Sequence, residues 1–178
     1  MRRALGMALA LAAVPQAAQA AEWTRAIAPN GKFSAETICS PSELAALRTA
    51  PNTVIPDVML MPESRLICMK DGALMVAGVL EEPNLPAGSK ALFDLVSDQV
   101  LADKTAEGDP KLGTLGGHRS LYNRQEKDGT VALTGFVELS PTQIVMVIVG
   151  KDPKAAMTVA EQDAIITRFS QSIEVRGK

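Results

Sequence analysis

Alternation of apolar and polar positions predicts strands in the second half of the chain. Residues 130–140 place apolar side chains at every second position, which is typical of a strand buried on one face: Val131, Leu133, Val137 and Leu139. Residues 144–149 are apolar without a break, which favours a central strand covered on both faces. Together with residues 120–127, these segments predict a three-stranded antiparallel meander.

Turn dipeptides separate neighbouring strand segments at three places: Asn30-Gly31, Asp71-Gly72 and Asp128-Gly129. Tight hairpin turns need positive φ angles, which Gly, Asn and Asp tolerate. The predicted hairpins join residues 23–28 with 32–39, residues 65–70 with 73–81, and residues 120–127 with 130–139. This arrangement predicts a largely antiparallel sheet of about six strands.

Helical periodicity and capping patterns predict helices that cover the sheet. Two capping boxes, each a hydroxyl residue followed three positions later by glutamate, open helices: Ser40 with Glu43, and Thr158 with Glu161. Ser89 is expected to cap a further helix that runs to about Asp103. Residues 104–117 are polar and contain glycine, so we expect a loop there. The fold class is therefore α/β of the α+β type.

The N-terminus has the pattern of a secretory signal peptide over residues 1–20. Two arginines precede an apolar segment at residues 4–14, and Ala18-Gln19-Ala20 matches the small-x-small cleavage pattern. Cleavage after Ala20 leaves residues 21–178 as one globular domain, located in the periplasm or secreted. An uncleaved anchor is the alternative, although the apolar segment is short for a membrane span.

The charge distribution argues against nucleic acid as a partner. The chain has 18 basic and 20 acidic side chains, a net charge of −2, and the charges are scattered rather than clustered. Binding to a phosphate backbone, or to an anionic membrane surface, calls for clustered Lys and Arg.

Cysteine usage agrees with export. Cys39 and Cys68 are the two cysteines of the chain, and an even count in an exported protein predicts one disulfide. The bond would close a loop of about 30 residues. Two separate buried thiols are the alternative, and the chain has no Cys-x-x-Cys redox motif.

The order of these elements resembles the Mog1/PsbP-like superfamily. The similar motifs are Trp23 followed by Gly31-Lys32-Phe33-Ser34, the pair Gly117-x-Arg119 before the meander, and the ending Phe169-Ser170-Gln171-Ser172-Ile173. The resemblance implies an α/β/α sandwich and a binding or accessory role, as in extrinsic photosystem subunits, a nuclear-import GTPase-binding protein and bacterial envelope proteins. It implies no shared catalytic residues. The helix from Ser40 and the disulfide depart from the superfamily pattern.

His118 is the only histidine, and it lies in the glycine-rich stretch Leu-Gly-Thr-Leu-Gly-Gly-His-Arg-Ser at residues 112–120. A small envelope hydrolase would use His118 as a base and Ser120 as a nucleophile. On a strand these side chains share a face but lie about 6–7 Å apart, and direct proton transfer needs about 2.6–3.2 Å. We therefore predict no catalytic residues and keep the hydrolase as an alternative.

A periplasmic metal-binding protein is the second alternative. Oxygen and nitrogen ligands would come from Glu107, Asp109 and His118. Soft sulfur ligands for Cu(I) would come from methionines near the cysteines: Met59, Met61 and Met69. Neither set has a specific spacing, so we predict no metal ligands and no cofactor.

The meander strand offers the remaining candidate site. Ser120, Tyr122 and Arg124 share one face of a strand, with His118 before them. We predict a binding surface formed by four residues: His118, Arg119, Tyr122 and Arg124. An ordinary solvated sheet face is the alternative interpretation. The function that follows is an exported, periplasmic, non-enzymatic binding or accessory protein of the cell envelope, with an envelope protein or a small ligand as its partner.

Overall fold

The computed structural model describes residues 22–49, 60, 62–103 and 107–176, and in that part of the chain nine strands accompany three α-helices and one short 3-10 helix at Pro62–Ser64. The strands are β1 (Thr24–Ile27), β2 (Phe33–Thr37), β3 (Leu66–Lys70), β4 (Ala73–Glu81), β5 (Asp109–Leu115), β6 (His118–Lys127), β7 (Thr130–Ser140), β8 (Gln143–Lys151) and β9 (Glu174–Val175). The helices are α1 (Pro41–Thr49), α2 (Leu92–Ala102) and α3 (Val159–Gln171).

Six strands form one antiparallel sheet in the order β3-β4-β8-β7-β6-β5. The predicted meander β6–β7–β8 is confirmed, and β4 pairs with β8 on its other side. Asp71 and Asp128 adopt positive φ angles in the hairpin turns that close β3–β4 and β6–β7. The predicted mixed α+β class with a six-stranded antiparallel sheet is therefore confirmed.

The strand inventory differs from the prediction at two places. The predicted loop at residues 104–117 is wrong, because residues 109–115 form the strand β5 at the edge of the sheet. An edge strand that is exposed along most of its length needs no apolar alternation, and it tolerates Pro110 and Gly113. The N-terminal hairpin β1–β2 pairs with β9 in a separate three-stranded sheet.

Side chains of the central strands are buried on both faces of the main sheet, where they form two apolar clusters. Met75 and Val76 are neighbours on β4, yet they belong to different clusters because successive strand residues point to opposite faces. The Met75 cluster contains Phe169 of α3 and Phe33 of the N-terminal hairpin. The Val76 cluster contains Phe93 of α2.

Capping boxes begin α1 and α3, as predicted. The Glu161 N–H donates to the Thr158 hydroxyl at 3.3 Å, and the Glu161 carboxylate accepts from the Thr158 N–H at 2.8 Å. Ser40 and Glu43 make the same reciprocal pair of hydrogen bonds before α1. These bonds satisfy backbone donors that a helix leaves unpaired in its first turn.

The start of α2 has a different basis. The prediction that Ser89 caps this helix is wrong, since α2 begins at Leu92 and has no side-chain cap. The Leu92 N–H donates instead to the carbonyl of Pro141 at 2.8 Å. The turn between β7 and β8 therefore supplies the acceptor that a local cap would otherwise provide.

Cys39 and Cys68 form the predicted disulfide, with their Cα atoms 5.7 Å apart. The bond links the chain after β2 to β3 of the main sheet. Disulfides persist in oxidising compartments, so this bond indicates an exported environment. None of the helices in the described part of the chain has the length and apolar character that a membrane crossing requires. The predicted signal peptide at residues 1–20 lies outside the described residues.

Replacing both cysteines with alanine should lower the free energy of unfolding by about 3–4 kcal/mol, because the unfolded chain loses the constraint of the closed loop. Urea unfolding of the oxidised protein and the double variant measures this difference. Trp23, the only tryptophan, packs against the cluster that contains Cys39 and reports the transition by fluorescence. Reduced wild-type protein is the matched control, and its urea midpoint should equal that of the variant. Equal midpoints for the oxidised and reduced protein would contradict the prediction.

Candidate functional site

The four residues of the predicted binding surface all lie on β6, and the strand divides them between its two faces. Tyr122 packs against the cluster that includes α3, and Arg124 bonds to α3, while Arg119 bonds to α2. His118 shares the α3 side by the two-residue period of the strand. The four side chains therefore contribute to two separate environments.

Tyr122 is the half-buried centre of the row that faces α3. Its ring lies over Gly135, its register partner on β7, where a Cβ atom would overlap the ring. Its hydroxyl donates to the carbonyl of Ser170 on α3 at 3.4 Å. Burial raises the pKa of Tyr122 to about 12, so the phenol is neutral at physiological pH.

Arg124 connects the same row to α3. Its Nε and Nη2 atoms donate to the two carboxylate oxygens of Asp163 at 2.8 and 2.9 Å. These hydrogen bonds hold the pKa of Asp163 below its usual value. Both side chains are 40% exposed, so the pair contributes about 1 kcal/mol or less to stability. Its clearer effect is to fix the position of α3 over β6.

A groove of about 420 Å³ lies between β5, β6 and α3, and we call it the α3 groove. Ser120, Tyr122 and Arg124 line it on the sheet side, and Asp163 and Ser170 line it on the helix side. Its main polar groups already bond to one another across the groove, from Tyr122 to Ser170 and from Arg124 to Asp163. A ligand there would have to compete with these bonds.

Arg119 lies on the opposite face and joins three elements. Its guanidinium donates to Glu138 of β7 at 2.6 Å and to Asp94 of α2 at 2.6 Å. It also stacks over the Phe93 ring, 4.9 Å from the ring centroid. Hydrogen bonds to Glu138 and to Asp94 raise the pKa of Arg119. Arg119 therefore fixes the first turn of α2 on the sheet and is already engaged on three sides.

His118 begins β6 beside the Gly116-Gly117 turn, where Leu115 is its register partner. Asp109 pairs with Arg124 at the other end of the hairpin, about 20 Å from His118 by strand rise. The Ser120 side chain is only 2% exposed. The structure therefore brings His118 together with neither Asp109 nor an accessible serine.

The other candidate metal ligands are also dispersed. Glu107 forms an ion pair with Lys127 at 2.8 Å. Met69 lies on the outer strand β3 and is 50% exposed, while Met59 and Met61 lie outside the described residues. Among the described residues, no group of three or more His, Cys, Asp or Glu side chains is arranged to hold a metal ion.

A cavity of about 380 Å³ lies between α2 and the sheet, and we call it the α2 pocket. It was not predicted from the sequence. Its walls are mostly apolar: Leu80, Val96, Val100, Leu121, Phe136 and Met146. Polar side chains complete the lining: Gln99, Asp103, Asn123, Gln125 and Thr134. These residues come from α2 and four strands, so no local pattern brings them together. The one sequence signal is that Val96 and Val100 share the apolar stripe of α2.

A larger cleft of about 510 Å³ lies beside the Asp71-Gly72 turn. Four charged side chains take part in its lining: Lys70, Asp71, Lys151 and Asp152. It is formed by the ends of β3, β4 and β8 and by the residues beside them, and these charged side chains lie among its few apolar ones. The α2 pocket has the apolar walls and few polar groups that small-molecule sites share.

The two layers that cover the sheet differ in how well their buried polar groups are paired. Under α3, the Gln162 side chain accepts from the Val131 N–H at 2.7 Å and donates to the carbonyls of Gly129 and Met157. In the α2 layer, the buried atoms Ser97 Oγ and Asn123 Oδ1 have no hydrogen-bond partner among the described residues. Each such atom costs about 1–3 kcal/mol, so α2 is the less firmly held layer.

Comparisons of the whole chain with models of known families, with curated proteins and with solved structures find no match. The chemistry of the site therefore rests on the contacts of this chain alone. Those contacts make the α3 groove a surface whose polar groups bond to one another, whereas the α2 pocket is a mostly apolar cavity.

Replacing Gly135 with alanine should destabilise the fold by about 1–3 kcal/mol, because the added methyl group overlaps the Tyr122 ring. Gly150→Ala, on the neighbouring strand β8, is the matched control. A Cβ atom there meets open space, and the change in free energy of unfolding should be within about 0.5 kcal/mol. Urea unfolding measures both values. Equal stability of the two variants would show that Tyr122 does not pack over Gly135.

The only tyrosine gives a direct test of burial under α3. In the folded protein Tyr122 should ionise near pH 12, and in urea near its ordinary value of about 10. Between these values the unfolded chain has released the proton and the folded chain has not, so stability falls as pH rises through this window. Absorbance of the phenolate after a rapid pH jump measures both values. Ionisation of Tyr122 at the same pH in the folded and unfolded protein would contradict its burial under α3.

Proposed function

We propose that this chain is an exported, non-enzymatic binding protein of the cell envelope that holds a small amphipathic molecule in the α2 pocket. The observation that carries the proposal is the pocket itself, about 380 Å³ in volume with apolar walls. Small-molecule sites typically measure about 300–1,000 Å³ and are lined by apolar side chains with a few polar groups. The periplasm is the compartment that we propose.

The distribution of polarity in the pocket defines the class of ligand. Phe136 and Met146 offer an aromatic and a polarisable surface on the sheet side, and Val100 offers an aliphatic surface on the helix. Gln99 and Gln125 can donate and accept hydrogen bonds where the pocket meets water. The matching ligand has a compact apolar body and one polar end such as a hydroxyl or amide group.

The looser attachment of α2 gives the ligand a route into the pocket. The helix is held at its first turn, where Arg119 bonds to Asp94 and the Leu92 N–H bonds to Pro141. The pocket residues Gln99, Val100 and Asp103 lie toward the other end of the helix. A small outward movement of this end of the helix would admit a ligand.

The proposed fold family is the Mog1/PsbP-like superfamily, with an α/β/α sandwich. Support comes from the two apolar clusters, one shared with α3 and the other with α2. Motif positions that suggested the resemblance also have structural roles: Phe33 and Phe169 are buried in one cluster, and Arg119 holds α2. The resemblance implies binding or accessory roles, which agrees with the proposed function.

2-Naphthol, a compact aromatic alcohol, is a suitable probe of the α2 pocket. Methyl NMR of methionine-labelled protein should show the Met146 signal shifting on titration, because Met146 lines the pocket. Val100→Trp fills the pocket and should weaken binding by roughly tenfold or more. Leu101→Trp is the matched control, since Leu101 is the next residue of the helix but is 46% exposed, and it should bind like the wild type.

Two outcomes would distinguish binding in the α2 pocket from binding elsewhere and from a general effect on α2. A Met146 signal that stays in place at saturating 2-naphthol, while other methionine signals move, would place the probe elsewhere and refute the pocket. Equal weakening by Val100→Trp and Leu101→Trp would indicate a general effect on α2 rather than occupation of the cavity. Folding of both variants is checked first by the urea midpoint.

A further inference from the structure

The polar side chains that the sheet contributes to the α2 pocket are neighbours. Asn123 of β6 and Thr134 of β7 are register partners, and Gln125 lies two residues further along β6 on the same face. The lining residues from β4 and β8, Leu80 and Met146, are apolar. The polar groups of the pocket are therefore gathered on the side of β6 and β7.

The C-terminal end of α2 adds two polar side chains to the lining, Gln99 and Asp103. The Asp103 N–H donates to the Gln99 carbonyl at 3.1 Å, so the two residues follow each other at the spacing of one helical turn. Both are exposed, which places them where the pocket meets water. Among the described residues that line the pocket, Asp103 is the only one with a charged side chain.

The basic side chains that β6 contributes to the α2 face of the sheet are already paired. Arg119 bonds to Asp94 and to Glu138, each at 2.6 Å. Lys127 lies on the same face by the two-residue period of the strand and pairs with Glu107 at 2.8 Å. The charge that the pocket presents to a ligand is therefore that of its one carboxylate.

An ammonium group is the polar end that complements this lining. It carries three N–H donors, no acceptor and a positive charge, whereas Gln99, Gln125 and Thr134 each offer an oxygen acceptor. An ionised carboxylate has about four acceptor positions, so Asp103 can bond to a ligand besides any partner that it already has. A ligand with a carboxylate end would instead bring a second negative charge to Asp103.

We propose that the α2 pocket selects cationic amphipathic molecules, with the Asp103 carboxylate binding the ammonium group while the apolar body lies against Phe136 and Met146; this selectivity rests on the proposed function of the pocket and defines the class of its ligand. The class consists of primary amines with one compact aromatic or aliphatic group. An anionic molecule of the same shape is rejected.

Three naphthalene probes of similar shape and different charge test the selectivity: 2-naphthylmethylamine, 2-naphthylmethanol and 2-naphthoate. Titration of the full chain, followed by the methyl NMR signal of Met146, gives the dissociation constant of each probe for the pocket. The amine should bind roughly fivefold more tightly than the alcohol, since an ion pair at an exposed carboxylate adds a modest attraction. The carboxylate probe should bind more weakly than the alcohol.

The probes distinguish failure of the selectivity from failure of the pocket. An alcohol that shifts the Met146 signal and binds as tightly as the amine would leave the pocket in place and overturn the selectivity. A Met146 signal that none of the three probes moves would overturn the proposed function and the selectivity together.

Asp103→Asn removes the charge with little change of shape, and it should lower the ratio of the alcohol and amine dissociation constants to about one. Asp98→Asn is the matched control, because Asp98 lies on the same helix and pairs with Lys90 at 2.6 Å but does not line the pocket. This variant should keep the fivefold ratio. Each ratio compares two probes on one protein, so a general change in the pocket cancels. A ratio that survives in Asp103→Asn, or that is lost equally in both variants, would overturn the role of Asp103.

Ionic strength supplies a second readout on the unaltered protein. Salt screens the attraction between exposed charges, so the preference for the amine should fall as sodium chloride is raised. The dissociation constant of the uncharged alcohol should change little over the same range and serves as the control. A preference for the amine that is equal at low and high salt would show that charge does not select the ligand, and it would overturn the proposal.

Discussion

Two-sided burial of the central strands is the constraint on which this structure depends. On β8, Val145 and Ile144 are both fully buried although they point to opposite faces of the sheet. Neither face can be left to water, because each carries a continuous apolar surface. The helices and the N-terminal hairpin are therefore required by the sheet, and their amphipathic faces follow from that requirement.

The two faces meet this constraint in different ways. One is closed by α3 and the hairpin, with Gln162 fully bonded beneath the helix. The other is closed by α2, which Arg119 holds at its first turn and which leaves a cavity beside Phe136. The proposed ligand site and the more completely hydrogen-bonded layer thus lie on opposite sides of one sheet, and β6 contributes side chains to both.

Sequence patterns predict what is determined locally and miss what depends on distant partners. The predictions of the Thr158–Glu161 capping box and of the Asp-Gly turns are confirmed, because the hydrogen bonds and φ angles concerned involve neighbouring residues. Ser89 does not cap α2, since the acceptor comes from Pro141 in a distant turn. The strand β5 lacks apolar alternation because it lies at an exposed edge. The α2 pocket collects residues from five elements, so only the folded chain brings them together.

The disulfide also determines how the chain responds to cleavage. Cys39 and Cys68 enclose α1 and the connection that follows it, so a cut anywhere between residues 40 and 67 leaves both parts covalently joined. The β1–β2 hairpin, which buries Phe33 in the core, stays attached to the sheet through β3. Separation of the two parts requires a reductant as well as a protease. Under oxidising conditions a cut in this segment leaves the N-terminal part covalently attached, and under reducing conditions only non-covalent contacts hold that part on the sheet.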